Sequence, residues 1–149
     1  MDEFLTLITQ AQKLLHAASD EAMSRHGVRI GQNLILEVLW ETDGLTPGEI
    51  AARARLPITT PTIVNTATRM EAAGLLTRRR DPNDGRLVRL HLTDRARAAQ
   101  RPIQEARRDL AEHATATLTD EERHHLRTAL TKIIQQLTAE PAESDGESE

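Results

Sequence analysis

Between residues 59 and 86 the chain gathers side chains suited to recognition rather than to bond making. Thr62, Asn65, Thr66 and Arg69 recur at the i, i+3, i+4, i+7 spacing that aligns residues along one face of a helix. Each is small or forked and carries donors or acceptors that match base edges in a major groove, with arginine suited to guanine and asparagine to adenine. Thr60, Thr62, Thr66 and Thr68 fall within the same short helix. Four β-branched residues are a poor choice for helix stability, so something other than propensity selects them. Thr59 and Thr60 at the helix start, and Arg78, Arg80, Asp84 and Arg86 beyond its end, complete the candidate DNA-contacting set. The plain alternative is an exposed polar helix followed by a hairpin with a surface ion pair, worth about 0–1 kcal/mol.

Charge distribution favours the first reading. From Arg53 to Arg97 ten arginines face four acids, a local charge of +6 inside a chain whose formal charge is -4. A basic block in an acidic chain is the footprint of a protein that meets phosphate with one face. The absence of cysteine excludes disulfides, thiolate nucleophiles and cysteine-ligated zinc. With no tyrosine, no glycine-rich phosphate loop and no histidine beside an evident nucleophile, an enzyme is disfavoured and no cofactor is expected. His113, His124 and His125 are not expected to form a metal site, since adjacent helical residues point about 100° apart.

These side chains need two short helices and a ribbon to position them. Thr46-Pro47-Gly48-Glu49 reads as a capping box, with Pro47 at the first helical position. Ile50, Ala51 and Ala54 form the inward side of that helix, and Leu56-Pro57 closes it. Thr60-Pro61 repeats the device and opens a helix with Ile63, Ala67 and Met70 facing in, ended by Gly74. Residues 75–80 read as one strand and 87–92 as its partner, with Val88, Leu90 and Leu92 on one face. Asp81-Pro82-Asn83-Asp84-Gly85-Arg86 makes the turn between them. Arg86 at its far end suits the negative potential of a narrow minor groove, and Asp84 is placed to hold its guanidinium. The fold class is mostly α with a small β-wing: a winged helix-turn-helix.

The residues Asp84-Gly85-Arg86 followed by Leu90-His91-Leu92-Thr93 resemble the wing signature of the multiple-antibiotic-resistance regulator (MarR) family, Asp-x-Arg leading into Leu-x-Leu-Thr. Met70-Glu71-Ala72-Ala73-Gly74-Leu75-Leu76 resembles that family's exit from the recognition helix. The likeness extends over residues 3–139 by helix order and over 46–93 by specific motif. It implies a homodimeric transcription factor whose second motif helix enters the major groove through Thr62, Asn65, Thr66 and Arg69. The wing, with Asp84 and Arg86, would enter the minor groove. Ala96 departs from the pattern, where members often carry glycine.

The remaining segments are expected to build a dimer around the motif at residues 34–93. Phe4, Ile8, Ala11, Leu15, Ala18 and Ala22 give a helical stripe about six turns long, widened by Leu5, Leu7 and Leu14. Gly27 and Gly31 punctuate the chain before a second helix through Ile35, Leu36, Leu39 and Trp40, which ends near Asp43-Gly44. Thr93 caps a helix through Ala99, Ile103, Ala106, Leu110 and Ala114, bent at Pro102, and Thr119-Asp120-Glu121-Glu122 opens a last one through Leu126, Leu130, Ile133 and Leu137. Helices at residues 3–26 and 94–139 then serve either a bundle shared by two subunits or an intramolecular three-helix pack. Residues 1–139 read as one domain and 140–149 as an acidic disordered tail.

The expected partners are double-stranded DNA, a second copy of the chain and a small aromatic or anionic effector, but no membrane. The resemblance places that effector between the dimer helices and the DNA-binding lobe, where His16, Arg25, His26, Arg29 and Trp40 are candidates by position. No targeting sequence or membrane-length apolar run appears, so a cytoplasmic, nucleoid-associated repressor is the expectation. The rival class is a winged-helix protein-interaction module whose arginines meet an acidic partner.

Overall fold

The computed structural model describes residues 2–139; the tail expected at 140–149 lies outside the described residues. The chain divides into two compact units, Met1–Leu110 and Ala111–Glu149. In order the elements are α1 (Asp2–Ser24), α2 (Ile30–Glu41), α3 (Pro47–Arg53), α4 (Thr60–Ala72), β1 (Leu76–Arg80), β2 (Val88–Leu92), α5 (Asp94–Ala114) and α6 (Asp120–Thr138).

The core of the first unit is built where the apolar periodicity converges. Ile35, Leu36 and Leu39 of α2 meet Ile50 of α3, Ile63, Ala67 and Met70 of α4, Leu90 and Leu92 of β2 and Ile103 of α5, all buried. With seven residues, α3 is too short to persist alone. Burial of Ile50 and a cap hold it: the Thr46 hydroxyl accepts the Glu49 backbone N–H at 3.2 Å. The Glu49 carboxylate accepts the Thr46 hydroxyl at 3.1 Å.

Several boundaries differ from the sequence reading: α3 ends at Arg53, ahead of Leu56-Pro57, with the Ala54 N–H donating to the Ile50 carbonyl, and hydrogen bonds also set the starts of α2 and α4. α2 begins at Ile30, so Gly31 lies inside the helix and only Gly27, with φ 75°, makes the break. Asp20 accepts the Ile30 N–H at 3.0 Å and Gln32 accepts the Arg29 N–H at 3.0 Å, which satisfies donors at the helix start. α4 is capped by Thr59 and not by Thr60. The Thr59 hydroxyl accepts the Thr62 N–H at 3.3 Å, and Pro61 is the second helical residue, where its missing N–H is equally harmless. α2 itself stops at Glu41, three residues ahead of the left-handed Gly44 at φ 74°.

β1 and β2 pair antiparallel with Leu76 opposite Leu92 and Arg80 opposite Val88. Leu90 and Leu92 are buried, whereas Val88 is exposed because the ribbon has by then left the core. A further pairing, Leu45 with Leu90, attaches the ribbon to the chain before α3. Thr93 ties the ribbon to α5: its hydroxyl oxygen accepts the Ala96 N–H at 3.2 Å and its hydroxyl donates to the Gly74 carbonyl at 2.6 Å. Ala96 is buried, so the alanine standing at this junction packs without exposure. Pro102 sits inside α5 without ending it.

In the second unit, Thr119 and Glu122 form a complete capping box, each accepting the other's backbone N–H at 3.1 Å. None of the residues of α6 is buried, and Leu126, Leu130, Ile134 and Leu137 are exposed. In the first unit α1 likewise exposes Phe4, Leu5, Leu7, Leu14 and Leu15, and among its described residues buries only Met23. No helix among the described residues is long and apolar enough to cross a membrane.

The position of the α4 cap is open to direct test. Thr59→Ala should lower stability by about 1 kcal/mol, while Thr60→Ala should change it by less than about 0.5 kcal/mol, both measured by denaturant unfolding. A larger loss in Thr60→Ala than in Thr59→Ala would return the cap to Thr60.

Candidate nucleic-acid interface

With Ile63, Ala67 and Met70 pointing inward, a turn of about 100° per residue places Asn65 on the opposite side of α4. Thr62 and Arg69 flank it on one side and Thr68 on the other. Thr62, Asn65, Thr68 and Arg69 are exposed, and Thr66 is half-buried. The Thr62 hydroxyl lies 2.9 Å from that of Thr59, so these two share one hydrogen bond at the start of the helix. Thr60 is exposed beside them.

The arginines of the basic block separate into two groups. Arg78 braces β1 against α4: its guanidinium reaches the Thr68 hydroxyl, the Val64 carbonyl at 3.3 Å and the Glu71 carboxylate at 3.3 Å. Arg97 pairs with Asp43 at 3.0 Å, and Arg95 donates to the Ala73 carbonyl at 3.0 Å at the end of α4. Arg89 is committed to Asp81 and Glu49. Arg69, Arg79, Arg80 and Arg86 make no ion pair among the described residues and are exposed. Thr68, Asp81 and Arg89 were not among the site residues expected from the sequence. Asp followed by Pro-Asn is a turn signature that could have marked Asp81.

Asp84 does not hold the guanidinium of Arg86. Its carboxylate accepts the Arg86 backbone N–H at 3.0 Å, which a short side chain two residues away reaches readily. The turn is organised by Asp81. One carboxylate oxygen accepts the N–H groups of Asn83 at 2.7 Å and Asp84 at 3.0 Å, and the other receives Arg89 Nε at 2.5 Å. The Arg89 guanidinium foremost, and the Asn83 N–H after it, hold the Asp81 carboxyl below its ordinary value of 3.8.

Of the effector candidates, the structure brings together His16 and Arg29. Both line a cavity of about 400 Å³ that Thr66 and Arg69 of α4 also border, and Arg29 there pairs with Asp20 at 2.8 Å. His16 also borders a neighbouring cavity of about 240 Å³. Arg25, on the turn after α1, is instead paired with Glu21 at 3.2 Å, and His26 is exposed on the same turn. Trp40 is half-buried and donates its indole N–H to the Ala96 carbonyl at 3.1 Å, which serves packing. It borders a separate cavity with Arg55 and Gln100.

A depressed carboxyl pKa stabilises the fold above its ordinary titration range, and that stabilisation is lost as pH falls through the lowered value. The wing turn should therefore hold as pH drops past 3.8 and loosen only below it, as followed by the amide resonances of Asn83 and Asp84. Asp81→Asn should show loosened turn amides at neutral pH as well. A wild-type midpoint at or above 3.8 would mean that the Arg89 bond does not form in solution.

A sequence model described as the MarR family matches residues 29–88, which span α2, the two motif helices and the wing turn. The HTH-type transcriptional regulator TtmR of Methylorubrum extorquens is 39% identical over 75 residues, covering 50% of this chain and 37% of TtmR. The chain thus spans little more than a third of the length of that curated relative. Among solved structures, a cysteine-to-serine mutant of MarR from E. coli complexed with operator DNA aligns with TM-score 0.74 at 24% identity, over 86% of this chain and 91% of that one. The organohalide-sensing regulator RdhR in its 2,4-dichlorophenol-bound form aligns with TM-score 0.82 at 22% identity, over 93% of this chain and 83% of that one. At those identities the structural likeness speaks for the fold, and the segment match carries the kinship. Over residues 29–88, its winged helix-turn-helix, the chain is similar to the MarR family, whose members are transcription regulators and not enzymes.

Proposed function

We propose that the protein is a homodimeric, ligand-responsive repressor that binds a pseudo-palindromic operator. One observation carries the DNA reading: the exposed face of α4 and the wing present arginines without acidic partners, while Glu71 and Asp81 of the same segment are taken up by Arg78 and Arg89 and Asp84 is turned to the Arg86 backbone N–H. In this reading Asn65 and Arg69, with Thr62, read base edges in the major groove, and Arg86 enters the minor groove. Arg80 meets phosphate. Arg78 serves the interface through α4, as its brace, and Thr59 through the helix cap.

Support for the dimer comes from the exposed apolar faces of two helices. The exposed apolar side chains of α1 and of α6 each exceed what isolated surface residues explain. A second copy covers both, and a twofold arrangement sets the two α4 helices about 34 Å apart or a near multiple. The effector reading rests on the cavity shared by His16, Arg29, Thr66 and Arg69, where an occupant adjoins a base-reading residue. That RdhR is known in a 2,4-dichlorophenol-bound form supports a small aromatic occupant.

The test is sequence preference. The protein should bind a palindrome from its own promoter region far more tightly than random duplex; equal affinity would instead favour a protein-interaction module. Asn65→Ala and Arg69→Ala should relax discrimination at particular base pairs by about 1–3 kcal/mol. Leu130→Glu should yield monomers in sedimentation and weaken operator binding, and a variant that stays dimeric would move the interface away from α6.

A further inference from the structure

A continuous series of hydrogen bonds runs from the start of α3 to the tip of the wing. It begins at the α3 cap, where the Thr46 hydroxyl donates to the Glu49 carboxylate at 3.1 Å. Arg89 Nη1 donates to that same carboxylate oxygen at 3.3 Å and to the Gly44 carbonyl at 3.0 Å. Its Nε donates to Asp81 at 2.5 Å. Asp81 accepts the N–H groups of Asn83 and Asp84, and its own N–H donates to the Leu87 carbonyl at 2.9 Å. Asp84 in turn accepts the Arg86 N–H at 3.0 Å.

Arg89 is the one member of this series that touches both the helical lobe and the turn. Its charge faces two carboxylates, so it adds no net attraction for phosphate, and its side chain is only 31% exposed. The segment between the strands, residues 81–87, contains no helix or strand that could set its direction by itself. A ribbon of two strands is also marginal in isolation.

We propose that Arg89 is a positioning residue for DNA binding: it fixes the wing tip relative to α3, so that Arg86 is delivered to the minor groove at a defined angle to the recognition helix. The proposal rests on the DNA-binding reading of the wing. Under it, an arginine counted in the basic block acts through Arg86 without touching DNA.

A double-mutant cycle on the full chain decides it, with the promoter palindrome as probe. Arg86→Ala alone should weaken binding and lower the slope of log affinity against log salt by about one. In an Arg89→Gln background the further effect of Arg86→Ala should shrink to less than about twofold, since coupled residues are not additive. Hydroxyl-radical footprints of Arg89→Gln should lose minor-groove protection while guanine N7 protection under α4 persists. A general loss of folding would remove both. Full additivity of the two substitutions, or preserved minor-groove protection in Arg89→Gln, would overturn the proposal.

A second measurement needs no DNA. Amide exchange at Asn83, Asp84 and Arg86 should speed up in Arg89→Gln while exchange in α4 is unchanged, and unchanged turn amides would also overturn the proposal. If Arg86→Ala binds as the wild type does, the minor-groove reading of the wing falls, and with it the proposed role of Arg89 in DNA binding. The turn amides then report only whether Arg89 orders the tip. Should Arg89→Gln fail to fold, Glu49→Gln cuts the same series at its helical end and carries the same expectations.

Discussion

The wing hangs on the backbone of one residue. Leu90 donates its N–H to the Leu45 carbonyl at 2.9 Å and accepts the Gly44 N–H at 3.1 Å, and it also stands opposite Arg78 in the ribbon. Two strands without this third pairing would swing from the helical lobe. The geometry requires Gly44 to adopt φ 74°, a conformation that L side chains rarely take, and a Cβ there would lie 2.9 Å from the ring of His91. The local turn and the strand pairing are therefore one constraint.

That constraint also sorts side chains between the two faces of β2. Because strand residues alternate, seating Leu90 and Leu92 in the core sends Arg89 and His91 to the other face. A slip of one residue would bury Arg89 and expose both leucines, so the register is strongly specified. That other face holds Asp81 and Glu49 beside Arg89, and Asp43 beside His91, where the Asp43 carboxylate also accepts the Leu92 N–H at 2.9 Å. Acids fixed in these pairs anchor the ribbon to the lobe.

Much of this architecture was legible in the sequence because it rests on short-range chemistry. The Thr46 cap, the Thr93 cap and the Thr119 box join residues three apart, and the buried Ile63, Ala67 and Met70 follow helical periodicity. What escaped depends on distant partners. Asp20 reaches the Ile30 N–H from ten residues away and draws α2 back past Gly31. The Leu45 pairing is one residue long and leaves no alternation to read. Counting charge finds Arg78 and Arg89 in the basic block, but only the fold shows that α4 and the turn take up their guanidinium groups. Asp84 was misassigned for a steric reason: a neighbouring backbone N–H lies nearer to a short carboxylate than the end of an arginine does.

The same partition changes what the net charge means. A formal charge of -4 would argue against binding a polyanion if every charge acted at the interface. Screening limits an exposed charge to a reach of about 10 Å at 0.1 M salt, so the relevant field is that of the face which meets the ligand. On α4 and the wing, Glu71 and Asp81 are each held by an arginine, which leaves Asp84 as the one exposed acid of the wing tip without an arginine side chain on it. Arg69, Arg79, Arg80 and Arg86 remain uncompensated beside them. Pairing the acids with structural arginines lets one short segment be rigid and locally cationic at once, because the charges that set its shape are not those left to meet phosphate.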